Sequence, residues 1–193
     1  NLNTMDKGIA DAHSQLADNV TLIANKTTVI NPTTTRKAYM TIIDDDGRKE
    51  VLTKLKPIVE EFEVPVTVAV IADNVQNTSG QYLNLAELKT LQNIGWEIAS
   101  HGVTHNDLRV MTEDEIEYEL SESKRILVSW GLDVENFVAP YGGNDDERVR
   151  KISSKYYNCG VRVGGGINTR PIKNQFINRV ALGSYTNPNQ NTL

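Results

Sequence analysis

The chain has 193 residues, of which 39% are hydrophobic and 23% charged, and it carries a formal net charge of −5. This composition is typical of one globular domain and excludes an intrinsically disordered protein, and the one cysteine, Cys159, excludes an internal disulfide. The negative charge argues against nucleic acid or an anionic membrane surface as the main partner, and no apolar run approaches the roughly 20 residues of a membrane span.

Residues 1–36 are predicted to form a helical or linker segment. They are rich in Asn, Thr, Asp and Ala, and Ile9, Leu16 and Ile23 recur every seven residues. This short heptad pattern is compatible with an oligomerising helix, which would give a homotrimer, and equally with a frayed linker, since three or more heptads are normally needed. Because the chain starts with Asn-Leu-Asn and not with Met, we expect it to be a piece of a longer protein.

From Lys37 onward, β-strand patterns alternate with helical patterns. Five strands are predicted, and a weaker sixth follows them: 38–43, 65–71, 96–99, 136–139, 159–163 and 176–182. Helices are predicted over 48–62, over 84–93, and after Thr112, which forms a capping box with Glu115. Strands that alternate with helices of this length predict βαβ units, a parallel sheet and an α/β fold.

The helical face of 48–62 is predicted from its apolar spacing. Val51, Leu55, Ile58 and Phe62 recur at intervals of three or four residues. That spacing places all four side chains on one side of a regular α-helix, so we expect all four to face the core.

Polar segments follow three of the predicted strands. They are Asp44–Gly47 after the first, Ser100–His105 after the third and Pro140–Gly143 after the fourth. In parallel βα architectures, functional groups gather where the carboxyl ends of the strands meet. We therefore expect one site that is built from these three segments.

His101 and His105 are candidate metal ligands. Their spacing of four would place both imidazoles on one face of a helical turn. Taken alone, this pattern also fits two capping or surface histidines. The aspartates at the neighbouring strand end supply a third ligand, and two His with one carboxylate suit Zn²⁺ and other divalent ions.

Three consecutive carboxylates, Asp44, Asp45 and Asp46, end the segment TIIDDDG. Strand alternation would point Asp44 and Asp46 to one face and Asp45 to the other, so the pattern leaves open which two converge on a metal. For Asp44, a solvated helix-capping acid and a support behind the metal ligands are both open interpretations.

Together these segments resemble the polysaccharide deacetylases of carbohydrate esterase family 4, the NodB-homology domain, over roughly residues 37–165. The family motif Thr-Phe-Asp-Asp-Gly, aligned on its glycine, matches Asp45 and Asp46. The motif His-Ser/Thr-x-x-His matches His101 and His105. The motif Arg-x-Pro-Tyr is matched in its last two residues, Pro140 and Tyr141.

The resemblance implies a distorted (β/α) barrel over 37–193 that removes acetyl groups from N-acetylated, or alternatively O-acetylated, polysaccharide. It implies that Asp46, His101 and His105 bind a divalent metal, in first place Zn²⁺, with Co²⁺, Mn²⁺ and Ni²⁺ as alternatives. It further implies that Asp45 is the general base and that the backbone N–H of Tyr141 binds the oxyanion. A chitin-like glycan, peptidoglycan or another cell-surface polysaccharide is the expected substrate.

The sequence departs from the family pattern at several positions, and these departures allow a second interpretation of its function. Asp44 replaces the aromatic residue of the first motif, and Val138 replaces the arginine that orients the base. No Trp or His follows Trp130, so the family's late segment with its catalytic acid His has no match. A glycan-binding or structural domain without turnover is therefore the alternative function.

Two residues near the three motifs are candidate supports of the site. Arg162 is expected at the same rim, where it would replace the missing arginine or be an ordinary strand-end residue. Pro140 precedes the oxyanion donor and is expected beside the site.

The leader loosely resembles connecting segments of phage tail proteins. From this we expect an extracellular, cell-envelope or virion-associated location.

Overall fold

A computed structural model describes residues 39–77, 79–164 and 166–180. The chain divides into two units, Asn1–Met40 and Thr41–Leu193, and every element below belongs to the second. The segment predicted over 1–36 lies outside the described residues. Among the residues that are described, no helix has the length and apolar character to cross a membrane.

Six parallel strands form one sheet, and their order in the sheet is their order in the chain. Their bounds are β1 Ile42–Asp44, β2 Val66–Val70, β3 Glu97–Ser100, β4 Asn136–Val138, β5 Cys159–Val163 and β6 Ile177–Arg179. All six predicted strands are therefore present, the weak sixth included. The bounds of the fifth are as predicted, and those of the others differ by up to four residues, most at the start of β1. The sheet curls into a half-barrel, which confirms the distorted (β/α) barrel that the resemblance implied.

Helices follow the first four strands. Their bounds are α1 Lys56–Glu61, α2 Leu85–Asn93, α3 Glu113–Ser129 and α4 Glu147–Ser153, and a π-helical turn, Val51–Leu55, precedes α1. Short 3₁₀ segments lie at Ala72–Asn74, Leu108–Val110, Pro140–Asp145 and Asn174–Phe176. The predicted capping box of Thr112 and Glu115 is present at the start of α3, whereas α4 was missed by the sequence analysis.

The π-helical turn corrects the predicted face of 48–62. Ile58 and Phe62 are exposed, and Val59 is buried in their place. A π-helical turn closes its hydrogen bonds over one more residue than an α-helical turn, so it rotates the following helix relative to a regular 3.6-residue period. The apolar residues keep their spacing along the sequence, but after the π-helical turn Val59 faces the core and Ile58 does not.

Two apolar clusters occupy the two faces of the sheet. The larger one joins the sheet to its helices through residues such as Val68, Val70 and Leu120. The smaller one consists of Ala69, Ala99, Val138 and Val161, with Ile43 and Ile177 packed against it. Since consecutive strand residues face opposite sides, Ala69 lies on the face without helices, which is the inner face of the curl. Ala69 and Ala99, the small members of this cluster, lie on neighbouring strands.

Candidate metal centre and active site

The loops after β1 and β3 bring Asp46, His101 and His105 together at the carboxyl rim of the sheet. Asp46 Oδ1 lies 3.6 Å from His101 Nε2 and 3.3 Å from His105 Nε2. One donor atom from each residue lies within 4.8 Å of the other two. Two imidazole nitrogens and one carboxylate oxygen at such separations can share one divalent cation, so these residues fit the metal that the resemblance implied.

His101 is fixed by the core. Its backbone N–H donates to the Val70 carbonyl at 2.8 Å, which continues the pairing beyond β3. Its Nδ1 lies 2.6 Å from the Val138 carbonyl oxygen, and because a carbonyl only accepts, Nδ1 carries the proton and Nε2 keeps its lone pair towards Asp46. Burial lowers the pKa of His101, against the opposing effect of the Asp45 carboxylate, and so favours the neutral, metal-binding form.

His105 reaches the site through a loop and not through a helical turn, which corrects the geometry predicted for the two histidines. No helix covers His101–His105, and the loop reverses at Gly102, with φ of 81°, and at His105, with φ of 66°. The His105 ring packs at 4.8 Å from the His101 ring and at 4.9 Å from the Tyr141 ring.

Left-handed backbone conformations concentrate at this site. Four described residues other than glycine have positive φ, and three of them are Asp46, His105 and Tyr141. Such a conformation costs about 1–2 kcal/mol for a residue with a Cβ. Residues held this way cluster at functional sites, where the surrounding structure over-determines them.

Glu119 holds the loop that carries His105, and sequence reasoning missed it. Its buried carboxylate accepts hydrogen bonds from the Val103 N–H at 2.7 Å and the Thr104 N–H at 3.1 Å, and from the Thr104 hydroxyl at 2.5 Å. A Cβ at Gly102 would lie 3.0 Å from the same carboxylate, which explains why glycine stands there. The available signal was an acid on the apolar face of α3, three residues after Ile116.

Asp45 is bound by Arg179 of β6. Arg179 Nη1 donates to Asp45 Oδ1 at 2.7 Å and Nη2 donates to Oδ2 at 2.6 Å. Two interpretations of Arg162 were open, an orienting residue and an ordinary strand-end residue. Its guanidinium lies 4.4 Å from the Phe176 ring, and it is Arg179 that pairs with Asp45. Val138, at the motif's arginine position, is buried in the inner apolar cluster.

Asp44 ends β1 and is half-buried. Burial, together with the carboxylates of Asp45, Asp46 and Glu50, raises the pKa of Asp44 to about 6, and Arg48 opposes this effect. Arg48 Nε also lies 3.5 Å from Asp46 Oδ2, on the oxygen that does not face the histidines. The three neighbouring carboxylates thus have three separate environments.

The loop after β4 supplies Pro140 and Tyr141. Pro140 is buried, and the Tyr141 side chain is exposed at the rim beside His105. All three segments predicted to build one site therefore meet at one place.

The chain belongs to the polysaccharide deacetylase family, since the family model described as "Polysaccharide deacetylase" matches residues 31–160. This match covers the loops after β1, β3 and β4 and ends before β6. No curated protein matches the chain in sequence.

Solved structures with the same fold include three deacetylases or esterases. A Streptococcus pyogenes deacetylase in complex with acetate superposes with a TM-score of 0.71 at 22% identity, over 82% of this chain and 69% of that one. A Bacillus cereus polysaccharide deacetylase superposes with a TM-score of 0.63 at 25% identity, over 72% of this chain and 46% of that one. A family 4 carbohydrate esterase from Streptomyces lividans, also in complex with acetate, superposes with a TM-score of 0.54 at 19% identity, over 65% of this chain and 62% of that one.

Proposed function

We propose that this chain is a metal-dependent hydrolase that removes acetyl groups from an acetylated polysaccharide. The observation that carries the proposal is the approach of Asp46 Oδ1 to His101 Nε2 at 3.6 Å and to His105 Nε2 at 3.3 Å, with the carboxylate of Asp45 beside them. Family membership supports the reaction class. Acetate bound to the Streptococcus and Streptomyces proteins is consistent with it.

Asp46, His101 and His105 would hold the ion. Their two nitrogens and one oxygen suit Zn²⁺ best, and Co²⁺, Mn²⁺ and Ni²⁺ accept the same donors. When bound, a divalent ion polarises an acyl oxygen and lowers the pKa of water.

Asp45 serves as general base in this proposal. It takes one proton from the attacking water, whose oxygen forms the new bond to the acetyl carbon. The Tyr141 backbone N–H donates to the oxyanion, a contact of a kind worth on the order of 10²–10³ in rate. The bond from the acetyl carbon to the sugar nitrogen or oxygen then breaks, and Asp45 returns the proton to that leaving atom. The products are acetate and the free amine or hydroxyl.

The alternative is a glycan-binding or structural domain without turnover. The chain has no histidine after His105, so the family's catalytic acid has no counterpart in this sequence. In the proposed reaction, Asp45 carries both proton transfers.

Acetate release from acetylated chito-oligosaccharides and peptidoglycan, measured on Zn²⁺-loaded protein, separates the two functions. We expect release by the wild type, loss of at least about 100-fold in Asp45→Asn with metal content unchanged, and wild-type release by the control Asp133→Asn, which alters an exposed acid. A wild type that binds these glycans and releases no acetate contradicts the hydrolase and supports the binding domain.

The extracellular, cell-envelope or virion-associated location and the homotrimer remain proposals. Sedimentation of the chain with and without residues 1–36 tests the trimer, which we expect to dissociate when the segment is removed.

A further inference from the structure

The Asp45–Arg179 ion pair joins the two edges of the sheet. Asp45 directly follows β1 and Arg179 ends β6, and these are the first and last strands of the order β1-β2-β3-β4-β5-β6. The two residues are 134 positions apart in the chain, yet both guanidinium–carboxylate contacts are shorter than 2.8 Å. No backbone pairing between β1 and β6 exists in the described sheet, so this pair bridges the open side of the half-barrel.

The geometry of the pair restricts how Asp45 can turn. A planar guanidinium that meets both oxygens of a carboxylate fixes the plane of that carboxylate as well as its position. The Arg179 side chain is only 17% exposed, whereas the Asp45 side chain is 35% exposed. Arg179 is thus the more enclosed member of the pair, and Asp45 is the more exposed.

The adjacent carboxylates of Asp45 and Asp46 pair with different arginines, Arg179 and Arg48. Asp46 faces the two histidine Nε2 atoms with one oxygen and Arg48 with the other. Asp45 has both oxygens on Arg179, and the His101 Nε2 lies farther off, at 4.0 Å. Arg179 therefore offsets part of the repulsion between the neighbouring acids and engages both oxygens of Asp45.

We propose that Arg179 is a positioning residue that orients the carboxylate of Asp45 for proton transfer and, through the same ion pair, ties the edges of the half-barrel together at the rim. The first half of this inference rests on the proposed function. The second half concerns the fold alone.

Arg179→Met and Arg179→Lys test the orientation, with Arg125→Met as the matched control. Arg125 makes a two-pronged pair with Glu122 on the exposed side of α3, so its loss removes an equivalent ion pair away from the site. We expect Arg179→Met to lower kcat about 100-fold with KM changed less than about threefold, because Asp45 is misplaced while substrate contacts remain. Arg179→Lys keeps the positive charge but lacks the paired donors of the planar guanidinium, and we expect kcat to fall about tenfold.

Added guanidinium chloride at low millimolar concentration distinguishes orientation from stability. We expect it to restore part of kcat in Arg179→Met and nothing in Asp45→Asn, with bound Zn²⁺ unchanged in both. An Arg179→Met variant with wild-type kcat, or with a loss that guanidinium does not recover in the folded, metal-loaded protein, overturns the positioning role.

Amide hydrogen exchange by mass spectrometry tests the tie without any catalysis. We expect peptides covering 42–46 and 177–180 to exchange faster in metal-free Arg179→Met than in wild type, and to be unchanged in Arg125→Met. Unchanged exchange in Arg179→Met overturns the tie. If the wild type releases no acetate, the proposed function and the orienting role both fail, and exchange alone decides whether the pair closes the rim.

Discussion

His101 and His105 lie four residues apart and present their Nε2 atoms to the same Asp46 oxygen, but their surroundings differ. The His101 side chain is 2% exposed and its ring is bound to the Val138 carbonyl. The His105 side chain is 26% exposed, and His105 lies in a loop with its own backbone in the left-handed conformation. One donor belongs to the core, and the other is carried by a loop that a polar network supports.

From this difference we expect the two residues, which share one expected chemical role, to differ in their contribution to stability. Removal of either histidine deletes one metal donor. Removal of His101 also opens a buried space and leaves a buried carbonyl without its partner, whereas removal of His105 exposes little that was hidden. Metal binding and folding stability should therefore separate in the variants below.

The largest effect is expected for His101→Ala. In metal-free protein, we expect the free energy of unfolding to fall by about 3 kcal/mol, from the cavity and the unpaired Val138 carbonyl. Urea unfolding in the presence of a chelator measures it, and a loss of less than about 1 kcal/mol would show that His101 is not part of the core.

Glu119→Gln is expected to cost about 2 kcal/mol, because a neutral amide replaces a carboxylate that accepts from Val103 and Thr104. Zn²⁺ affinity should also fall about tenfold as the His105 loop loosens. Metal titration and urea unfolding give the two values. Glu122→Gln on the same helix removes only a surface ion pair and is expected to change stability by less than about 1 kcal/mol; equal effects of both variants would contradict the role of Glu119.

Tyr157, which a chain of hydroxyl groups connects to the residue before His101, predicts that stability depends on pH. Ser100, next to His101, bonds Ser123 at 2.9 Å, and Ser123 lies 2.9 Å from the Tyr157 hydroxyl. Burial raises the pKa of Tyr157 to about 12. Its ordinary value is 10.0, so the unfolded chain loses the phenolic proton first and stability falls as pH rises from 10 through 12.

We expect this loss to reach on the order of 2 kcal/mol by pH 12 and to be absent in Tyr157→Phe. Stability as a function of pH in both proteins, with tyrosinate absorbance recorded in parallel, measures it. Parallel curves for the two proteins would show that Tyr157 ionises as freely in the folded as in the unfolded state.

The smallest effect on stability is expected for His105→Gly. Glycine adopts the observed φ of 66° without the Cβ penalty, so the metal-free variant should unfold within about 1 kcal/mol of wild type. Zn²⁺ binding should nevertheless be lost. A stability loss as large as that of His101→Ala would remove the distinction between the two histidines.

Local pattern was enough to predict the strands and the residues that meet at the rim. Asp46, His101 and Tyr141 each lie at or just after a strand end, and parallel strands bring their carboxyl ends to one side of the sheet. The helical turn predicted between His101 and His105 was wrong, because spacing alone does not distinguish a helix from a loop with two left-handed residues. The face predicted for 48–62 failed because the π-helical turn changed the period.

The sequence by itself determined the parallel α/β sheet, the family and the residues that share the site, since each depends on short-range periodicity or on a strand-end motif. Only the tertiary structure decided that Arg179 and not Arg162 binds Asp45, and that Glu119 supports the His105 loop. The physical reason is distance along the chain. The curl of the sheet decides which side chain of β5 or β6 reaches β1, and a helical period shows which face of α3 is buried but not what that face binds.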